Sequence, residues 1–216
     1  MMLLCRCFDS EEHANEFLDG KIRMMSLEYY RKKEADENGR KDKFEGTQKL
    51  WQGQHTTIKI FGHTISGDNG LGFVQIRTDD FEQNTKICCC TMLQLANNEI
   101  NVDSLMKFNL PYCVIFTDAK AFLLQYINAA KEKNISAKAK AISFYDEKTY
   151  SGDLDEFMKP KAFEWQNEFR LALYTEQIEP VYLEIGDLHK IAHLYKTEDL
   201  IKELLCAKIN VGEIRR

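Results

Sequence analysis

A chain of 216 residues with 44% hydrophobic and 11% aromatic content carries enough apolar material for a core, and fits one large domain better than two small ones. At this length folding buries roughly 70% of the surface that the unfolded chain exposes. A net charge of −5 and an isoelectric point near 5.6 exclude a general affinity for nucleic acid or anionic membranes and leave room only for a local basic patch.

No apolar run approaches the roughly 20 residues that span a bilayer. The opening M-M-L-L-C-R-C-F lacks the apolar stretch and cleavage site of a secretory signal. Seven cysteines, an odd number with Cys88, Cys89 and Cys90 consecutive, do not make a disulfide framework, and free thiols in a reducing cytoplasm are the simpler account.

Met2 to Phe8 reads as a buried strand, with Leu4, Arg6 and Phe8 on one face and Leu3, Cys5 and Cys7 on the other. Asp9 or Ser10 caps a helix that Gly20 stops, with His13, Phe17 and Leu18 as its inward positions. Lys21 to Ser26 is a short strand, followed by a helical turn bearing Tyr29 and Tyr30. Lys32 to Lys49 has one aromatic residue and almost no aliphatic ones. That composition predicts a polar surface loop, either a lid or binding loop or a plain insertion.

Thr56 to Phe61 and Gly72 to Arg77 read as the two arms of a hairpin turned at H-T-I-S-G-D-N-G. Lys86 to Leu93 is a continuous apolar run suited to the centre of a sheet, and a short helix ends near Phe108. Tyr112 to Phe116 is another buried strand. Thr117 or Asp118 caps the longest helix, with Phe122, Leu123, Tyr126, Ile127 and Ala130 on its inner stripe. Lys138 to Tyr145 alternates as a strand. Lys159 to Tyr174 then puts Gln166, Glu168, Arg170 and Ala172 on one face, each about 7 Å from the next, and Trp165, Phe169, Leu171 and Leu173 on the other. Strands at Pro180–Ile185 and Ile191–Tyr195 and a helix capped by Thr197 complete a single α+β domain over residues 1–216, its sheet mixed but mainly antiparallel with flanking helices.

Cys5 with Cys7, and Cys88 with Cys90, lack the spacings of structural zinc ligands, so core thiols and no metal are expected. No nucleophile elbow, phosphate-cradling glycine loop or dinucleotide fingerprint is present. Arg6 stands out because an arginine in an apolar strand needs an anion or a hydrogen-bonded partner, whether a protein carboxylate such as Glu168 or a ligand phosphate.

Lys159-x3-Phe163-x-Trp165-Gln166-x-Glu168-x-Arg170 resembles a C-terminal signature of a family of uncharacterised bacterial and prophage proteins, with Phe163 and Gln166 departing from its tryptophan and first glutamate. Tyr30-Arg31, Arg40, Asp42 and Glu45-Gly46 resemble the pattern of its N-terminal half, and Ile185 to Leu188 resembles phage-encoded relatives. More distantly, Arg6, Thr91 and Gln166-x-Glu168 are similar in order and strand context to the site of ADP-ribosyltransferases. That resemblance implies an ADP-ribosyltransferase-like fold acting on a protein or nucleic acid. Glu168 and Gln166 would serve the chemistry, and Arg6, Thr91 and Arg170 would hold NAD. The other reading is a non-catalytic phage or bacterial protein that binds and inhibits a host defence protein.

Overall fold

The computed structural model of the chain describes residues 3–32, 42–96 and 99–206. Its frame is an eight-stranded sheet of β1 (Leu3–Phe8), β2 (Lys21–Ser26), β3 (Thr85–Leu93), β4 (Tyr112–Phe116), β5 (Ser136–Ala141), β6 (Glu168–Tyr174), β7 (Val181–Glu184) and β8 (Ala192–Lys196). The helices are α1 (Glu11–Leu18), α2 (Leu27–Lys32), α3 (Asp79–Asn84), α4 (Asp103–Phe108), α5 (Ala119–Glu132) and α6 (Thr197–Cys206). The fold is mixed α+β, and every pairing in the large sheet is antiparallel. Among the described residues, no helix is long and apolar enough to cross a membrane.

Strand order runs β5–β6–β3–β1–β4–β8. The apolar run of β3 is central, as its composition requires. One edge of β3 pairs with β6 from Thr85↔Tyr174 to Thr91↔Glu168. The other edge is divided. β1 pairs with Thr91 to Leu93, β2 pairs with Lys86 and Ile87, and β7 lies beyond β2. Neither of those two ladders includes Cys88, Cys89 or Cys90, so the sheet forks there.

Alternation along β3 divides the core. Cys88 and Cys90 pack with Leu4, Phe17, Val114, Phe122, Tyr126 and Leu171 beneath α1 and α5. Phe17 meets Phe8, Phe116 and Phe122 at ring-centroid distances of 5.3, 6.0 and 6.0 Å, contacts that add roughly 0.5–1.5 kcal/mol each beyond area burial. Ile87 and Leu93 face the opposite way into two smaller cores. One holds Leu27, Ile142, Phe157 and Ala172, and the other holds Cys5, Leu105, Cys113, Ile115 and Leu200. Cys89 and Thr91 share that second face by the period-two rule, between the two small cores.

Local chemistry sets the helix ends. Ser10 Oγ accepts from the His13 amide and Asp118 Oδ1 from the Ala121 amide. Gly20, at φ +87°, lies so close to Gly186 that an added Cβ would sit 2.1 Å from its carbonyl oxygen. Two inward positions differ from expectation. Ala14 is buried where His13 was expected, because His13 turns out to ion-pair with Asp9. On α5, Ala129 is buried and Ile127 is exposed.

Four longer stretches also depart from the sequence reading. The hairpin expected over 56–77 is shorter: Ile58–Ile60 pairs with His63–Ile65 across Phe61 and Gly62, both at positive φ, the geometry of a two-residue turn. Phe73–Ile76 pairs instead with Lys49–Gln52. The strand expected over 138–145 breaks at Ile142, which enters a small core, after which Ser143–Tyr145 pairs in parallel with Met158–Pro160. The strand expected over 159–174 is three pieces: Met158–Pro160, a 3-10 turn over Lys161–Gln166, and β6. Asn167, at φ +43°, makes the corner, and Trp165 packs on Phe108 rather than beside Phe169.

Of the polar loop expected over 32–49, residues 33–41 (Arg40 included) lie outside the described residues. Of the remainder, Lys32, Lys43 and Lys49 are exposed as expected, but Asp42, Phe44, Glu45 and Thr47 are buried. Phe44 joins Leu50, Tyr145 and Leu154 in a small core, and Glu45 meets a buried arginine.

Candidate functional site

Between the two small cores lies a cavity of about 220 Å³. β1 contributes Arg6 and Cys7; β3 contributes Ile87, Cys89, Cys90 and Thr91; β6 contributes Glu168 and Arg170. Tyr30, Asp42, Glu45, Phe108, Leu110, Lys159 and Gln166 complete the wall. Arg6, Thr91 and the Gln166–Glu168–Arg170 group, three separate parts of the chain, therefore line one space.

Its floor is a buried charge network. Arg170 is fully buried and donates from Nε to Glu168 Oε1 (2.6 Å), from both terminal nitrogens to Glu45 (2.8 and 3.1 Å) and from Nη1 to the Glu156 carbonyl (2.6 Å). Lys159 Nζ donates to Glu168 Oε2 (2.6 Å) and to Gln166 Oε1 (3.1 Å) and lies 4.0 Å from Glu45 Oε2. The corner at Asn167 makes this possible by returning the chain so that Lys159 and Gln166 reach the start of β6. Gln166 thus enters the site from a turn and not from the strand face assigned to it.

Two cations here offset two carboxylates. Burial pushes the Glu168 carboxyl upward, but Arg170 and Lys159 outweigh it and hold the group well below the usual carboxylate range. Glu168 is therefore ionised, with both oxygens engaged. Burial raises the Cys89 thiol well above its ordinary value, and the Glu168 charge adds to it, so that sulfur is no ready nucleophile.

Arg6 is placed differently. It leaves β1 on the face of Leu4 and Phe8, with its guanidinium carbon 5.3 and 5.5 Å from the rings of Phe8 and Phe17. Nη1 then donates to the Cys89 carbonyl (2.6 Å) and meets Cys88 Sγ at 2.7 Å, plugging the fork of the sheet. The protein carboxylate weighed as its partner is not there: Glu168 pairs with Lys159 and Arg170, and among the described residues Arg6 forms no ion pair. Its Nε is buried without a hydrogen-bond partner among the described residues. A cation so placed has capacity left for an anion.

Fit to a dinucleotide is partial by size. About 220 Å³ lies below the roughly 300–1,000 Å³ of ligand pockets, which is room for one end of such a molecule and not for all of it. Among the described residues no group of three or more His, Cys, Asp or Glu side chains is arranged to hold a metal ion.

The sequence reading assigned no role to Lys159, Asp42, Glu45 or Tyr30 at this site. Lys159, Asp42 and Glu45 were nonetheless visible as charged members of the two resemblance patterns. No protein-family model matches the chain, and neither a curated protein nor a solved structure matches it.

Proposed function

We propose that the chain is an ADP-ribosyltransferase-like protein of phage or bacterial origin that takes NAD as substrate and modifies a protein or nucleic acid. The observation that carries this reading is the convergence of Arg6, Thr91 and Glu168 on one cavity, with Arg6 lacking a carboxylate partner among the described residues. Arg6 holds a phosphate, Arg170 and Lys159 fix the ionised Glu168, and Thr91 and Gln166 bind the ribose end and the acceptor. The dinucleotide supplies an activated ribose whose departing nicotinamide leaves positive charge behind, and a fixed carboxylate offsets such charge. Seven free thiols fit a reducing, cytoplasmic setting.

Calorimetry with NAD and an assay of nicotinamide release test the proposal. Glu168→Gln should abolish release while binding persists. Absence of both binding and release from the wild-type protein ends it.

A second reading has its own support. Both Glu168 oxygens are taken by Lys159 and Arg170, as expected of a structural pair in a non-catalytic protein that inhibits a host defence factor. In that case Glu168→Gln leaves partner capture intact, provided the variant folds.

A further inference from the structure

Three acidic side chains line the cavity, and they are not equivalent. Glu168 and Glu45 each have both oxygens engaged by Arg170 or Lys159. Asp42 is only 5% exposed, yet among the described residues it forms no ion pair. Its Oδ1 accepts from the Phe44 amide (2.8 Å), and Oδ2 has no partner among the described residues. The carboxyl is also held still. Its backbone carbonyl accepts from the Glu45 amide (3.2 Å), and Phe44 is locked into the small core with Leu50, Tyr145 and Leu154.

We propose that Asp42 is the proton-accepting base of this site, an inference that rests on the transferase reading. As an acceptor O–H or N–H bonds through its heavy atom to the ribose carbon, the O–H or N–H proton passes to Asp42. The carbon–nitrogen bond to nicotinamide breaks with its electron pair staying on the nicotinamide ring nitrogen. Glu168, already hydrogen-bonded twice by cations and held below the usual range, is a poor proton acceptor and is left with the electrostatic role.

Burial, with the Glu45 charge adding to it, pushes Asp42 up to about 7, where a base works best near neutral pH. Lys159, the Phe44 amide and Arg170 oppose that rise without cancelling it. Among the described residues, Arg77 and Tyr145 also feel the Asp42 charge.

The test has two arms. A carbon NMR titration of aspartate carboxyls should show one group titrating near neutrality in the wild type and missing from Asp42→Asn. Asp42→Asn should also lower nicotinamide release by roughly 10²–10⁴-fold and erase the acid limb of its pH profile, with NAD affinity kept. A carboxyl that titrates only in the ordinary range overturns the assignment, and so does full turnover in Asp42→Asn. If that variant fails to fold, the wild-type titration and acid limb decide. A wild-type protein that neither binds nor cleaves NAD removes the transferase reading and the base together, whereas normal turnover with an indifferent Asp42 removes the base alone.

Discussion

Replacing Arg170 with methionine isolates the charge network. The guanidinium is fully buried and joins Glu168, Glu45 and the Glu156 carbonyl. Removing one partner of a buried ion pair typically costs about 3–5 kcal/mol, because a charge is stranded without solvent. Here two carboxylates lose their main partner, and Lys159 alone remains for both, so the upper part of that range applies. A loss of about 4 kcal/mol is a large share of the roughly 5–15 kcal/mol by which domains are stable. With an m-value of about 2 kcal/mol per molar, the urea midpoint should fall by about 2 M.

The assay is equilibrium urea unfolding followed by both fluorescence and circular dichroism. Adding Glu45→Gln to the methionine variant leaves one carboxylate, Glu168, against one cation, Lys159, and should restore most of the loss. A single variant within about 1 kcal/mol of wild type would refute this account, as would a double variant no better than the single.

Other outcomes follow from the same geometry. Asp42 has a raised carboxyl, so its contribution to stability is complete below the ordinary carboxylate range and is lost as pH climbs through about 7. The rise from 3.8 to about 7 corresponds to at most about 4 kcal/mol, so Asp42→Asn should match wild type in acid and melt later than wild type above neutrality. Glu168 behaves oppositely: its stabilisation holds above the ordinary range and disappears in strong acid, a dependence that Glu168→Gln should remove from the acid unfolding curve. Arg6→Met should weaken binding of a phosphate-bearing ligand roughly tenfold or more in calorimetry, since charged hydrogen bonds are worth about 1.5–3 kcal/mol, and should also lower the melting temperature by leaving the Cys89 carbonyl without its charged donor. Gly20→Ala combines a positive φ with a Cβ 2.1 Å from the Gly186 oxygen, so a loss of about 2 kcal/mol or more is expected, seen as a lower melting temperature.

Much of the sheet was legible because apolar alternation and helix caps are local signals. β1, β3, β4 and β8 and the caps at Ser10 and Asp118 fall where their residues put them. The corner at Asn167 was not legible. Alternation continues through Trp165 and Gln166, and only the demand that Lys159 reach Glu168, nine residues on, breaks the strand. The 42–48 segment was misread for a related reason. A buried charge network and a solvated loop share a composition, and Glu45 is distinguished only by an arginine 125 positions away. The three residues that converge with Gln166 and Arg170 were picked from their order and strand context, whereas the partner of Arg6, a backbone carbonyl, leaves no trace in sequence.

At the fork, β1 and β2 meet the same edge of β3 with one guanidinium between them in place of a backbone ladder. Spreading that gap parts the guanidinium from the Cys89 carbonyl and Cys88 Sγ and draws it off the Phe8 and Phe17 rings. A molecule that draws Arg6 toward itself would thereby loosen the seam between the two halves of the sheet, making occupancy of the cavity something the whole sheet feels. Deuterium uptake at the amides of Cys88 to Cys90, measured with and without a bound anion, would register it.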